Sequence, residues 1–406
     1  MATESLKLGN NEWAVKEGSL LAYNDNDNVF GQLPFTVERD STATYVDRNG
    51  LIQTAEKNVP RIDFSDDPNG VLLTEPESTN LITHSEDFSD ASWSTSTAGA
   101  GSVPVITSNY TVAPDGNNTA DRIVFDAGVV SGSDFSTIVY NISGRANPHD
   151  SSISIWVKSN TSENYLLMMY NRANQPINFT ATSQWQRITL SANVSNTSDK
   201  LQFGLLELSG VTTDNYADIS VWGAQLEELP YATSYIPTNG STVTRLQDEV
   251  TGAGNSTTFN SEEGVLYAEI SALADIDWGY STISLISTNY NRIILGFSND
   301  IDKFIYYVIG GGVSSTNIVK IDASDNNTSL NTFNKLAISW SVSSIKFYLN
   351  GSEVGSYSGT LIVPTQLDGL NLNGTSQFTE PFFGKTKDLR VYNTALTDQE
   401  LIDLTT

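Results

Sequence analysis

The 406-residue chain contains no cysteine and only two histidines. The first absence excludes disulfides, thiol nucleophiles and zinc–thiolate centres. The second leaves little for imidazole chemistry. His84 and His149 sit near no Gly-x-Ser-x-Gly elbow, so structural roles are expected for both, and a three-histidine metal site cannot form within one chain. Positive charge is also scarce, with 21 Lys and Arg against 47 Asp and Glu, a net charge of −26. Such a surface repels phosphate backbones and anionic lipid, which argues against nucleic-acid binding and membrane association. No apolar run approaches the roughly 18 residues needed to span a bilayer. The opening "MATESLKLGNNEWAVKEGSLLAY" has no basic stretch followed by an apolar core, so no export signal is expected. The Asn-x-Ser/Thr triplets at Asn141, Asn178 and Asn193 then reflect composition, and synthesis in a microbial or virus-infected cytoplasm is expected.

What is present is the vocabulary of strands and turns. Hydrophobic residues make up 39% and aromatics 10%, enough for sizeable cores, while charged residues are only 17%. Residues 1–75 read as extended pieces and turn clusters, "NDNDN" and "DDPNG", without a strong period. Asp25 and Asp27 lack the further ligand positions of a calcium loop. A segment so poor in apolar residues is expected to wrap around a partner or another copy of itself.

From residue 76 to 240 short strands recur. In "SISIWVKSN", Ile153, Ile155 and Val157 alternate against Ser154, Trp156 and Lys158. "VWGAQLEELPYATSYIPT" closes this block. Val221, Gly223 and Gln225 are expected to alternate against Trp222, Ala224 and Leu226. The prolines then stop sheet pairing. Pro230, Tyr231, Tyr235 and Pro237 are expected to form a seam between the two domains, the tyrosines packing the exit against the sandwich. Residues 241–406 form a second β block, with an Asn350-Gly351 hairpin and a helix opened by the Thr397/Glu400 capping box. The expected fold is all-β: two antiparallel jelly-roll sandwiches, 76–240 and 241–406, after an extended segment, 1–75.

Four pieces resemble bacteriophage virion proteins, the modular fibre and appendage proteins of tails or heads. They are "RDSTATYVDRNGLIQTAEKNVPRIDF" (39–64), "LLTEPESTNLITHSEDFSDASW" (72–93), "APDGNNTADRIVF" (113–125) and "VWGAQLEELPYATSYIPTNGSTVTR" (221–245). The resemblance implies a carbohydrate-binding-module-like jelly roll in the middle. Residues 250–406 look like a concanavalin A- or laminin G-type sandwich, through "EGVLYAEIS", "NKLAISWSVSSIKFYLNGSEV" and "GKTKDLRVYNTALTDQELIDL". It also implies residence on the virion surface, attachment to other virion proteins through the N-terminal segment, and reversible contact with host-surface polysaccharide. A homotrimer is the favoured assembly. A calcium ion bridging acidic loops is compatible with this resemblance, but no spacing names its ligands, and no other cofactor is implied.

Sugar binding needs an aromatic face for the apolar side of a pyranose and amide or charged groups for its hydroxyls. "DIDWGYSTISLISTNYNR" offers Trp278, Tyr280, Asn289, Tyr290, Asn291 and Arg292 as the glycan-binding set, against the ordinary use of such aromatics as core. Catalysis is not expected. Glu262, Glu263 and Glu269 do not match the compact Glu-x-Asp-x-x-Glu strand of concanavalin A-like glucanases, and Asp275 and Asp277 lack flanking glutamates. The competing functions are an architectural decoration or connector protein and, less favoured, a glycan depolymerase.

Overall fold

The computed structural model describes residues 4–22, 33–128, 134–173, 176–207, 212–274, 280–288, 291–311, 316–375 and 378–406. The fold is nearly all β, and its sheets are antiparallel. The chain forms two compact units. A framework unit comprises residues 1–48, 55–76 and 246–406, and an inserted unit comprises 49–54 and 77–245.

This division redraws the expected segment 1–75, most of which belongs to the framework unit. Glu4–Gly9 pairs with Gly384–Tyr392, Leu33–Glu38 with Glu249–Thr251, and Val71–Thr74 again with Gly384–Tyr392. Leu6, Leu8, Leu20, Phe35 and Val37 are all buried in the core that the C-terminal strands complete. The partner that the segment wraps is the chain's own C-terminal sandwich. Its short strands carry too little apolar surface to close a core alone, which is why they read as irregular.

The main sheet of the framework unit has eight strands. At its centre Glu263–Ala272 lies between Asn334–Ser341 and Gly384–Tyr392. A five-stranded sheet built around Asn291–Phe297 and Lys303–Ile309 shares its core, with Leu266, Ile338, Phe347 and Leu389 meeting Ile293, Phe304 and Tyr306. On the other side of the main sheet Val265, Tyr267 and Tyr392 are covered by Leu401 and Leu404 of the helix Asp398–Thr405. That helix opens with the expected capping box. Asn350 and Gly351, at φ 46° and 81°, form the expected tight turn.

Buried charge fixes the N-terminal part of this unit. Arg39 Nη1 donates to Asp248 Oδ1 at 2.8 Å and Arg61 Nη1 to Glu75 Oε2 at 2.6 Å, while Arg61 also bonds Asp248. The Glu75 amide donates to Asp248 Oδ2 at 2.9 Å.

The inserted unit is a sandwich of two five-stranded sheets. One runs Trp93–Ala98, Phe135–Ser143, Ser198–Leu205, Tyr165–Tyr170, Ile177–Ala181. The other runs Val105–Thr111, Ala120–Asp126, Tyr216–Glu227, His149–Ser159, Gln186–Val194. Ile153, Ile155 and Val157 enter the core as their alternation requires. Tyr216–Glu227 departs from its expected alternation. The register slips between Ser154/Gln225 and Trp156/Trp222, and Gly223 takes φ 63°. This bulge sends Val221, Ala224 and Leu226 into the core.

The strand's exit stays within this unit. Glu227 is buried and accepts from Ser78 Oγ at 2.6 Å and from the Thr233 amide at 3.0 Å. Tyr235 packs its ring against Trp222 and Trp156, at 4.5 and 5.7 Å. Val243–Arg245 then pairs with Ser78–Asn80.

Candidate functional site

A polar cleft of about 410 Å³ opens in the inserted unit, a size in the ordinary range for small-molecule sites. Four stretches far apart in sequence build it. His84, Glu86 and Asp87 come from the loop before Trp93–Ala98. Ser108 and Asn109 come from Val105–Thr111, Thr119 and Asp121 from the start of Ala120–Asp126, and Pro237, Thr238 and Asn239 from the exit.

Local chemistry holds these walls. The strand Val105–Thr111 loses register between Thr107 and Thr111, and Asn109 takes φ 53°, a conformation asparagine tolerates better than most side chains. Asp121, 1% exposed, ties two walls together. Its Oδ2 accepts the Phe88 amide and its Oδ1 the Asn109 amide, both at 2.9 Å. Burial pushes its pKa up to about 6, against those two hydrogen bonds and with help from the charges of Asp87 and Glu86.

The exit is zipped to the loop. The Thr238 amide donates to Ser85 Oγ at 2.9 Å, and Thr238 Oγ1 donates to the Ile82 carbonyl at 2.7 Å. His84 and Asn239 form a β-bridge. Glu86 accepts the Tyr235 hydroxyl at 2.9 Å. Burial raises the Glu86 carboxyl, an effect this hydrogen bond opposes. Trp222 Nε1 donates to Thr119 Oγ1 at 3.0 Å. None of the lining side chains is a lysine or arginine. Carboxylates, amides and hydroxyls around an open hollow suit a polyhydroxylated ligand, each hydroxyl of which both donates and accepts.

Of the residues expected to bind glycan, Tyr280, Asn291 and Arg292 lie elsewhere, in the framework unit. Trp278, Asn289 and Tyr290 are outside the described residues, as are Asp25, Asp27, Asp275 and Asp277. Tyr280 precedes the open end of the hairpin Ser281–Thr288/Asn291–Phe297, beside Lys320 at 5.4 Å. Asn291 and Arg292 stand at its turn end, roughly 20 Å away at about 3.4 Å per residue. The structure therefore does not bring Tyr280 together with them. Asn291 Oδ1 accepts from the Thr365 amide at 3.0 Å, and Arg292, 7% exposed, lies over Tyr307.

Of the exit residues, Tyr235 is buried, Tyr231 and Pro230 are half-buried, and Pro237 lines the cleft. Glu263 and Glu269 stand six positions apart on one strand, Glu263 accepting from the Ala395 amide and Glu269 pairing with Lys387. His149 bonds the Ala146 carbonyl and Asp199 in the inserted unit. Among the described residues no group of three or more His, Asp or Glu side chains is arranged to hold a metal ion. Nothing local marks the cleft in the sequence except the polar run "HSED" at 84–87, because its walls meet only in the folded sandwich.

Residues 266–402 match the model of the Concanavalin A-like lectin/glucanases superfamily. No curated protein matches the chain. Among solved structures, the CBM40 of the Ruminococcus gnavus IT-sialidase is 15% identical, with 38% of this chain and 94% of that one covered and a TM-score of 0.32. Domain 4 of AbnA, a GH43 extracellular arabinanase from Geobacillus stearothermophilus, solved with arabinotriose, is 17% identical over 43% and 82%, with a TM-score of 0.30. The native heptameric SAP-like pentraxin of Limulus polyphemus is 16% identical over 36% and 70%, with a TM-score of 0.29. The family match makes the segment 266–402 concanavalin A-like in fold.

Proposed function

We propose that the protein binds glycans without chemistry, through the cleft of the inserted unit, and does so on the surface of a bacteriophage particle as a fibre, appendage or decoration protein. One observation carries this. Three of the four segments that resemble phage appendage proteins, 72–93, 113–125 and 221–245, meet at the cleft and supply eight of its ten lining residues. The match of 266–402 to a lectin and glucanase superfamily supports a carbohydrate target. A binding role fits the acids better than a catalytic one, since Asp121 and Glu86 are engaged in holding the walls. Several copies per particle, a homotrimer being the favoured unit, raise the effective concentration of a weak site. Attachment to other virion proteins is assigned to the framework unit, which contains the N-terminal strands.

The test is a broad glycan array probed with the full chain and with an Asp87→Ala, Asn109→Ala variant. It is paired with immunogold imaging of particles and the solution mass of the protein. Binding lost in the variant supports the cleft. Incorporation into particles without any glycan binding would replace this function with an architectural one. Release of reducing sugar would replace it with depolymerisation.

A further inference from the structure

The sheet of the inserted unit that contains Tyr216–Glu227 carries, on the side away from its core, cations laid on aromatic rings. The register places Arg122 opposite Ser220 and Ser220 opposite Lys158. Trp156 stands opposite Arg187, and Trp185 continues the last strand beside Lys158. The Arg122 guanidinium lies 5.2 Å from the Tyr110 ring, Lys158 Nζ 4.9 Å from the Trp185 ring, and the Arg187 guanidinium 4.4 Å from the Trp156 ring. Five strands at about 4.8 Å spacing make this a strip of roughly 19 Å from Tyr110 to Trp185.

Lys158 is the informative residue. Arg122 is matched by Asp218, Nε to Oδ1 at 2.8 Å. Lys57, Lys320, Lys346, Lys385 and Lys387 each pair with a carboxylate, whereas Lys200, over Tyr170 on the other sheet of this unit, bonds the Gln202 side-chain amide. Among the described residues Lys158 pairs with none, although it is half-buried. Desolvation lowers its pKa. An ammonium removed from water without a counter-charge is an unfavourable arrangement that an anion from outside relieves. Tyr110 is 47% exposed at the other end of the strip.

We propose that this sheet face is a second saccharide surface, one that takes a carboxylated polysaccharide. Its acid groups meet Lys158 and Arg187, and its pyranose faces lie along Trp185 and Tyr110. Charge complementarity separates it from the cleft, whose acids repel the same ligand. The two sites therefore sort neutral from acidic glycans.

The experiment titrates the full chain with polygalacturonate oligosaccharides and with neutral dextran oligomers of equal length, at low and high salt. Wild type is expected to bind the acidic oligomer and release it as salt rises. Lys158→Glu should weaken that binding about tenfold or more, the scale of one charge-assisted contact. Lys158→Gln provides the same reading should the reversed charge disturb folding. Lys158→Arg should retain binding, Trp185→Ala should lose it, and Asp87→Ala should leave it intact. Equal binding of dextran, unchanged affinity in both Lys158→Glu and Lys158→Gln, no binding by folded wild type at low salt, or loss in the cleft variant would each overturn the second surface. Only the glycan array above decides the fate of the cleft.

Discussion

Tyr235 places its hydroxyl 2.9 Å from Glu86 Oε1 while its ring centroid lies 4.5 Å from that of Trp222. The same hydroxyl is 2.7 Å from Ser85 Oγ. One side chain therefore closes the sandwich with its ring and steadies a cleft carboxylate with its oxygen. Tyr235→Phe keeps the packing and removes the donor, leaving Glu86 half-desolvated. Urea unfolding should show a loss of about 1–3 kcal/mol. Tyr235→Ala should cost more, about 3–5 kcal/mol, through the cavity left beside Trp222. Equal losses in both variants would show that the ring contributes nothing.

The second prediction concerns Asp248. It receives Arg39 and Arg61, both buried, and the amide of Glu75. Asp248→Asn removes the buried carboxylate that Arg39 and Arg61 share, leaving Glu75 against Arg61. The expected loss is about 3–5 kcal/mol, read by chemical denaturation. A loss below about 1 kcal/mol would mean that water or Glu75 replaces the missing charge.

The third turns on pH. Asp121 has a pKa pushed up to about 6, and its ordinary value is about 3.9. Between those values the folded chain holds more protons than the unfolded one, so this group's contribution to stability falls as pH rises through the window. Asp121→Asn removes the titration. Wild type should gain on the variant as pH is lowered from 7 towards 4, and the difference should be flat above about pH 7. A constant difference across pH 4–7 would show that Asp121 is not raised.

The fourth is local. Gly223 sits at φ 63°, and a Cβ there would stand 3.0 Å from Trp156 Cε3. Gly223→Ala should destabilise by about 1–3 kcal/mol, from the left-handed backbone and the displaced indole. A thermal melt unchanged within error would show that the bulge shifts without cost.

Patterns that depend on near neighbours were legible in the sequence. The alternation of Ile153, Ile155 and Val157, the Asn350-Gly351 turn and the Thr397/Glu400 cap all appear where expected. Features set by distant partners were not. Glu4 faces Tyr392 across almost the whole chain, and no local period announces such a pairing. The Gly223 bulge reversed an alternation that was sound up to Trp222, because one extra residue exchanges the faces. Tyr280 and Arg292 are close in sequence, yet an extended hairpin carries them to opposite ends. No sequence pattern announces the cleft, for the converse reason: Glu86, Asn109, Asp121 and Asn239 are scattered, and only the sandwich gathers them.

The pairing of Glu4–Gly9 with Gly384–Tyr392 also orders events at the ribosome. Residues 49–54 and 77–245 emerge whole long before the last strand, so the inserted sandwich can mature during translation. The strand Glu4–Gly9 must wait, its pairing edge unfilled, until residues 384–392 have been made. A stop just before residue 384 therefore harms Glu4–Gly9 while leaving the inserted sandwich whole.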